Sequence, residues 1–209
     1  MIRTDFASWT LLWRELGARG NPAPWHGRLV AAYGASHRRY HNLRHLEECL
    51  AEFDAARALA RQPVLVETAL WFHDAVYDPR SVSNEDDSAR LAVDCLTEAG
   101  VSAATVATVR QLILCTKSHE PGDVADTALL IDIDLAILGQ PSARFWDYEE
   151  GIRAEYGWVP AAVFAQKRAE ILTRFLQRPA IYRSARFARH YEAAARTNLR
   201  AAIGRLRRA

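Results

Sequence analysis

Trp71-Phe72-His73-Asp74-Ala75-Val76-Tyr77 ends an apolar run that opens at Pro63, where a proline is tolerated in the first turn because its missing donor would be unpaired anyway. Val64, Leu65, Thr68, Ala69 and Phe72 recur at helical spacing and predict a helix buried on most of its sides. Its end carries an imidazole and a carboxylate side by side. Neighbouring residues on such a helix cannot both turn away from the core, and a buried charge is costly unless it is paired or bound to a metal. The pair is therefore either a metal site or a hydrogen-bonded core network, and further ligands elsewhere in the chain decide between them.

Outward from this run the chain repeats the helical period. Residues 5–16 place Phe6, Trp9, Leu12, Trp13 and Leu16 on one face, and residues 25–33 form a second short helix. A polar run, Ser36-His37-Arg38-Arg39-Tyr40-His41-Asn42-Leu43-Arg44-His45, precedes a strong pattern of Leu43, Leu46, Leu50 and Phe53. Asn42 is a good N-cap, which puts His41 at the entry to this helix and His45 in its first turn, beside the apolar stripe. Residues 78–87 form a loop that carries Asn84-Glu85-Asp86-Asp87. Asn84 is expected to cap the next helix, and the three acids suit its positive end. Gly100 ends that helix and Ser102 begins another, which runs to Thr116-Lys117-Ser118-His119 before Pro121-Gly122.

Residues 129–138, Leu-Leu-Ile-Asp-Ile-Asp-Leu-Ala-Ile-Leu, are apolar nearly all round yet hold Asp132 and Asp134. Asp134 has Leu130, Ile131, Ile137 and Leu138 as its helical neighbours, so it demands a cation, a metal or several donors; Asp132 makes the same demand less strongly. Residues 145–156, 161–176 and 186–206 complete the helices. The alternating charge around Glu149 and Glu150 predicts a solvated face.

Half of the 209 residues are hydrophobic and a quarter are charged, which suits a globular protein of one domain, with a motif-bearing core over residues 36–157. The net charge of +2 gives no ground for nucleic acid as a partner. No apolar stretch is long enough to span a bilayer and the N-terminus lacks the run of a signal peptide, so the expectation is a cytoplasmic protein without a membrane partner. Cys49, Cys95 and Cys115 are scattered in apolar patterns without a CxxC pair and predict reduced core thiols. The tryptophans at 9, 13, 146 and 158 suit either a core or the interface of a homo-oligomer.

His45, His73, Asp74 and Asp134 fall on three predicted helices, each near an apolar face. Two imidazoles and two carboxylates suit an octahedral divalent ion, Mn, Fe, Co, Mg or Ni, and the lack of thiolate ligands argues against structural zinc. The order His, His-Asp, Asp resembles the HD superfamily of metal-dependent phosphohydrolases. The likeness extends over Tyr40-His41-Asn42 with His45, Phe72-His73-Asp74, Asn84-Glu85 with Ser88, Thr116-Lys117 with His119, Asp132-Ile133-Asp134-Leu135 with Leu138-Gly139, and Ile152-Arg153 with Glu155-Tyr156.

The resemblance implies an all-α HD-like bundle with added N- and C-terminal helices, one or two divalent ions, and hydrolysis of a small phosphorylated substrate such as a nucleotide. It implies His45, His73, Asp74 and Asp134 as ligands, with Asp132 as the alternative to Asp134. Glu85, His41 and His119 are then candidates for proton transfer, with His119 also a candidate ligand of a second ion. Lys117, Arg44 and Arg153 are candidates for holding phosphate. Two other classes fit the same residues: a metal-binding or nucleotide-sensing domain with little turnover, and a helical interaction protein with a buried polar network in place of metal.

Overall fold

In the computed structural model the chain is all-α, and no strand occurs among the described residues, 3–120 and 122–208. The break expected at Pro121 lies outside them. By its internal contacts the chain forms two compact units, Met1–Ile133 and Asp134–Ala209.

The first unit is built on α4 (Pro63–Phe72), in which every side chain from Val66 to Phe72 is buried. Such a helix needs neighbours on all sides, and it packs against α1 (Phe6–Glu15), α3 (Leu43–Ala56), α5 (Asn84–Glu98) and α6 (Ala103–Leu114). Its one buried charge, Glu67, is matched by Arg3 and Arg57. Trp9 and Trp13 of α1 are buried, with Trp9 meeting Trp71 edge-on, so these two tryptophans are core. α2 (Ala23–Tyr33) leads by a short polar loop to α3, where Asn42 caps the helix by accepting from the Arg44 amide. The stripe that α3 buries is His45, Leu46, Cys49, Leu50 and Phe53. All three cysteines are free and buried.

α5 ends at Gly100, whose φ of +71° is the left-handed turn that favours glycine. Ser102 caps α6 through the Thr105 amide. Asn84 corrects an expectation. It is the first residue of α5, and its side chain binds backward to the amide and carbonyl of Asp78, so it closes the 78–84 loop instead of capping the helix. α7 (Thr127–Asp134) is shorter than the sequence period suggested, because the backbone tightens to a 3₁₀ turn over Leu135–Gly139. Within it Asp132 is fully buried and Asp134 only half-buried, the reverse of the order inferred from their neighbours.

The second unit holds that 3₁₀ turn, α8 (Ser142–Glu155), α9 (Ala161–Gln177) and α10 (Ala185–Leu206). α10 packs along α9 and against the 3₁₀ turn. Gly139 permits the second contact, since a Cβ there would lie 2.5 Å from that of Tyr191. Asn198 donates to the Leu138 and Gln140 carbonyls, and the Tyr182 hydroxyl donates to that of Leu135, so the turn's backbone is satisfied by side chains. Glu149 corrects the solvated-face expectation: it is buried and ion-paired to Arg168.

Candidate metal centre

His45 enters the core of the first unit because it shares a face of α3 with Cys49 and Leu46. His73 and Asp74 follow the last turn of α4. The three converge: Nε2 of His45 lies 3.0 Å from Nε2 of His73, and Asp74 Oδ2 lies 3.4 Å from the first and 3.2 Å from the second. Both imidazoles are almost wholly buried. Nδ1 of His73 is 2.8 Å from the Leu70 carbonyl. A carbonyl only accepts, so Nδ1 carries a proton, and in the neutral ring that binds a metal the lone pair of Nε2 is turned toward the other two groups. That is how a second hydrogen bond orients a ligating histidine.

The spacing fits one ion. Three neighbouring ligands with bonds of about 2.1 Å stand about 3.0 Å apart in octahedral geometry and about 3.4 Å apart in tetrahedral geometry. The observed edges of 3.0, 3.2 and 3.4 Å span that interval. Within the first unit, His45, Cys49 and His73 offer ligand atoms that all lie within 4.8 Å of one another and belong to a group that could hold a metal ion. Asp134, the last residue of α7 and the first of the second unit, is half-buried.

The sequence reading leaves Cys49 out of the ligand set, although a cysteine four residues after His45 on the same stripe is a legible signal. Its Sγ is 3.7 and 3.8 Å from the two ring nitrogens of His45. Nearly equal distances set the sulfur beside the ring and not in line with either nitrogen.

The turn that carries the pair is tied down by side chains. The Tyr33 hydroxyl accepts from the Asp74 amide and donates to the Trp71 carbonyl. Burial, aided by the charge of Asp74, pushes the Tyr33 phenol far up, so it stays protonated. Ser88 of α5 bonds both the amide and the carbonyl of Val76. Arg38, buried between the Tyr33 and Tyr77 rings, reaches the carbonyls of His41, Asp74 and Ala75.

Burial alone would raise the Asp74 carboxyl, but in the metal-free protein with its imidazoles protonated the charges of His73 and His41 and hydrogen bonds from His45 and His73 outweigh it and hold it well below the usual carboxylate range. A depressed carboxyl contributes stability that is fully present above the unfolded value of about 4 and is lost as pH falls through the lower folded value. Urea unfolding of the metal-free protein should therefore show a stability loss below about pH 4 that is reduced in Asp74→Asn. Equal acid profiles for the two proteins would contradict this.

The remaining candidates take different places. His41 lies beside His45, its ring stacked on Tyr77 at 4.2 Å and 6.0 Å from that of His45. Glu85 stands half-buried in the first turn of α5, where its charge acts on Lys117. Lys117 itself is exposed and bonds Asp86 at 2.6 Å. His119 lies two residues beyond, half-buried in a left-handed conformation with φ of +51°. Arg44 is exposed and pairs with Glu48 one turn along α3. Arg153 of α8 donates to the Tyr156 and Val159 carbonyls and covers the Phe164 ring, a local closure of its own helix end.

No helix among the described residues is long and apolar enough to cross a membrane. Comparison of the chain with family models, with curated proteins and with solved structures yields no match.

Proposed function

We propose that the protein is a metal-dependent phosphohydrolase of HD type, acting on a nucleotide or another small phosphate ester. The observation that carries this reading is the convergence of His45 Nε2, His73 Nε2 and Asp74 Oδ2 at single-ion spacing in a buried site. The order of motifs from Tyr40 to Tyr156 supplies the reaction class. His45, His73 and Asp74 are the proposed ligands, with Asp134 the fourth that the HD resemblance implies, for a divalent ion of the Mn, Fe, Co, Mg or Ni kind. Bound there, such an ion would supply an acidified water and a polarised phosphoryl oxygen.

The chain's own groups supply the rest. His73 is held in one tautomer by Leu70, so its ring needs no reorientation to bind. Asp74 remains ionised at any ordinary pH and offsets part of a cation's charge. His41, stacked on the Tyr77 ring, is the proposed holder of a phosphate oxygen or donor of a proton to a leaving group. Glu85, at the positive end of α5, is the proposed general acid or base.

A second reading, a metal-binding or nucleotide-sensing domain with little turnover, draws support from the side chains expected to clamp phosphate. Lys117, Arg44 and Arg153 each already bond a protein group. An assay of phosphate release from a panel of nucleotides and simple esters, with Mn²⁺, Co²⁺ or Mg²⁺ added, separates the two. The expected result is release that a chelator abolishes, with Glu85→Gln lowering kcat by roughly 10²- to 10⁴-fold at unchanged metal content. Stoichiometric metal without release from any substrate would favour the sensor.

A further inference from the structure

Arg38 stands in a polar run between two other charged or polar residues, and nothing in its sequence setting marks it for burial. It is nevertheless buried, with its guanidinium between the rings of Tyr33 and Tyr77 at 5.1 and 5.5 Å. Nη1 donates to the His41 carbonyl at 2.9 Å and to the Asp74 carbonyl at 2.6 Å, and Nη2 donates to the Ala75 carbonyl at 2.9 Å. One rigid fork thus joins the segment that delivers His41 and α3 to the turn that delivers His73 and Asp74. A lysine has the charge but not the planar array of donors that three carbonyls require.

We infer that Arg38 is the positioning residue of the metal centre: it fixes the turn that presents the Asp74 carboxylate against the segment leading into His45. The inference rests on the metal-centre reading above and adds a residue that touches neither ion nor substrate. Hydrogen bonds behind a ligand fix its orientation, and losing them weakens metal binding by about 10- to 100-fold. Here the bonds go to the ligand's own backbone, so the arrangement of the three donor atoms and the anchoring of Arg38 are one geometric property.

The test is Mn²⁺ titration by calorimetry of the wild type, Arg38→Met, Arg38→Lys and Val109→Ala, each freed of metal beforehand, with thermal midpoints recorded in chelator. Val109 is a fully buried core residue of α6 and controls for general loss of stability. The expected result is a Kd raised about 10- to 100-fold in Arg38→Met, by less in Arg38→Lys, and unchanged in Val109→Ala although its midpoint falls. If Arg38→Met does not fold, Arg38→Lys carries the comparison. A wild-type Kd in the Arg38 variants, or an equal rise in Val109→Ala, overturns the positioning role and leaves the metal centre standing. A wild-type protein that takes up no Mn²⁺ overturns the metal-centre reading and this inference with it.

Discussion

Replacing His73 by alanine is expected to empty the protein of metal. Near-stoichiometric metal in the wild type should fall to background in His73→Ala after gel filtration, with affinity reduced by more than about 100-fold, beyond what losing a supporting hydrogen bond costs. The reason is that this one ring occupies the middle of the arrangement. Its Nε2 lies closer to His45 Nε2, at 3.0 Å, and to Asp74 Oδ2, at 3.2 Å, than those two lie to each other, at 3.4 Å. Its Nδ1 satisfies the Leu70 carbonyl, which the variant leaves buried without that donor, at about 1–3 kcal/mol. Asp74 loses the neighbour whose charge, when the ring is protonated, does most to lower its carboxyl against burial. Stability and metal should therefore fall together. His190→Ala, an exposed histidine on α10, should change neither. Metal retained in His73→Ala would remove His73 from the ligand set, and no metal in either protein would leave His45, His73 and Asp74 as a structural network.

What the sequence revealed about this centre follows from how local each signal is. Asn42, Pro63, Gly100 and Ser102 mark helix ends through contacts within a few residues, and the structure places each where its chemistry predicted. Asn84 has the same capping chemistry but found the Asp78 backbone six residues away, and nothing in the local pattern chooses between those partners. The helical period orders the burial of Asp132 and Asp134 wrongly because it does not continue past Asp134, where the backbone tightens to a 3₁₀ turn. His45 and Cys49 stand four residues apart beside one apolar stripe; the lack of a CxxC pair speaks against the thiol as a ligand, although spacing alone allies it with His45. Arg38 was not visible at all, because the three carbonyls that bury it belong to segments brought together only by the fold.

The largest stability loss outside the metal centre is expected from Arg168→Met in the second unit. Arg168 of α9 donates through Nη2 to Glu149 Oε1 at 2.6 Å and through Nε to Oε2 at 3.3 Å, a two-point pairing across to α8. It also donates to the Tyr148 hydroxyl and lies over that ring at 5.1 Å. Burial would lower the Arg168 pKa, yet Tyr148 and Glu149 raise it above its ordinary value, so the cation is held in place. Methionine fills similar space without the charge and leaves the Glu149 carboxylate buried without this partner. Breaking one side of such a pair costs about 3–5 kcal/mol, which urea unfolding followed by circular dichroism would read as a marked drop in midpoint. Removing the carboxylate as well should restore most of that loss. A double variant, Arg168→Met with Glu149→Leu, replaces a buried ion pair by apolar groups, an exchange that is often neutral or favourable. The contrast between single and double variants carries the argument, since a mere packing defect would worsen with the second change. A loss below about 1 kcal/mol in Arg168→Met is what an exposed pair would give. It would mean that Glu149 reaches water when its partner is gone, and that the charged face of α8 is the solvated surface its sequence suggested.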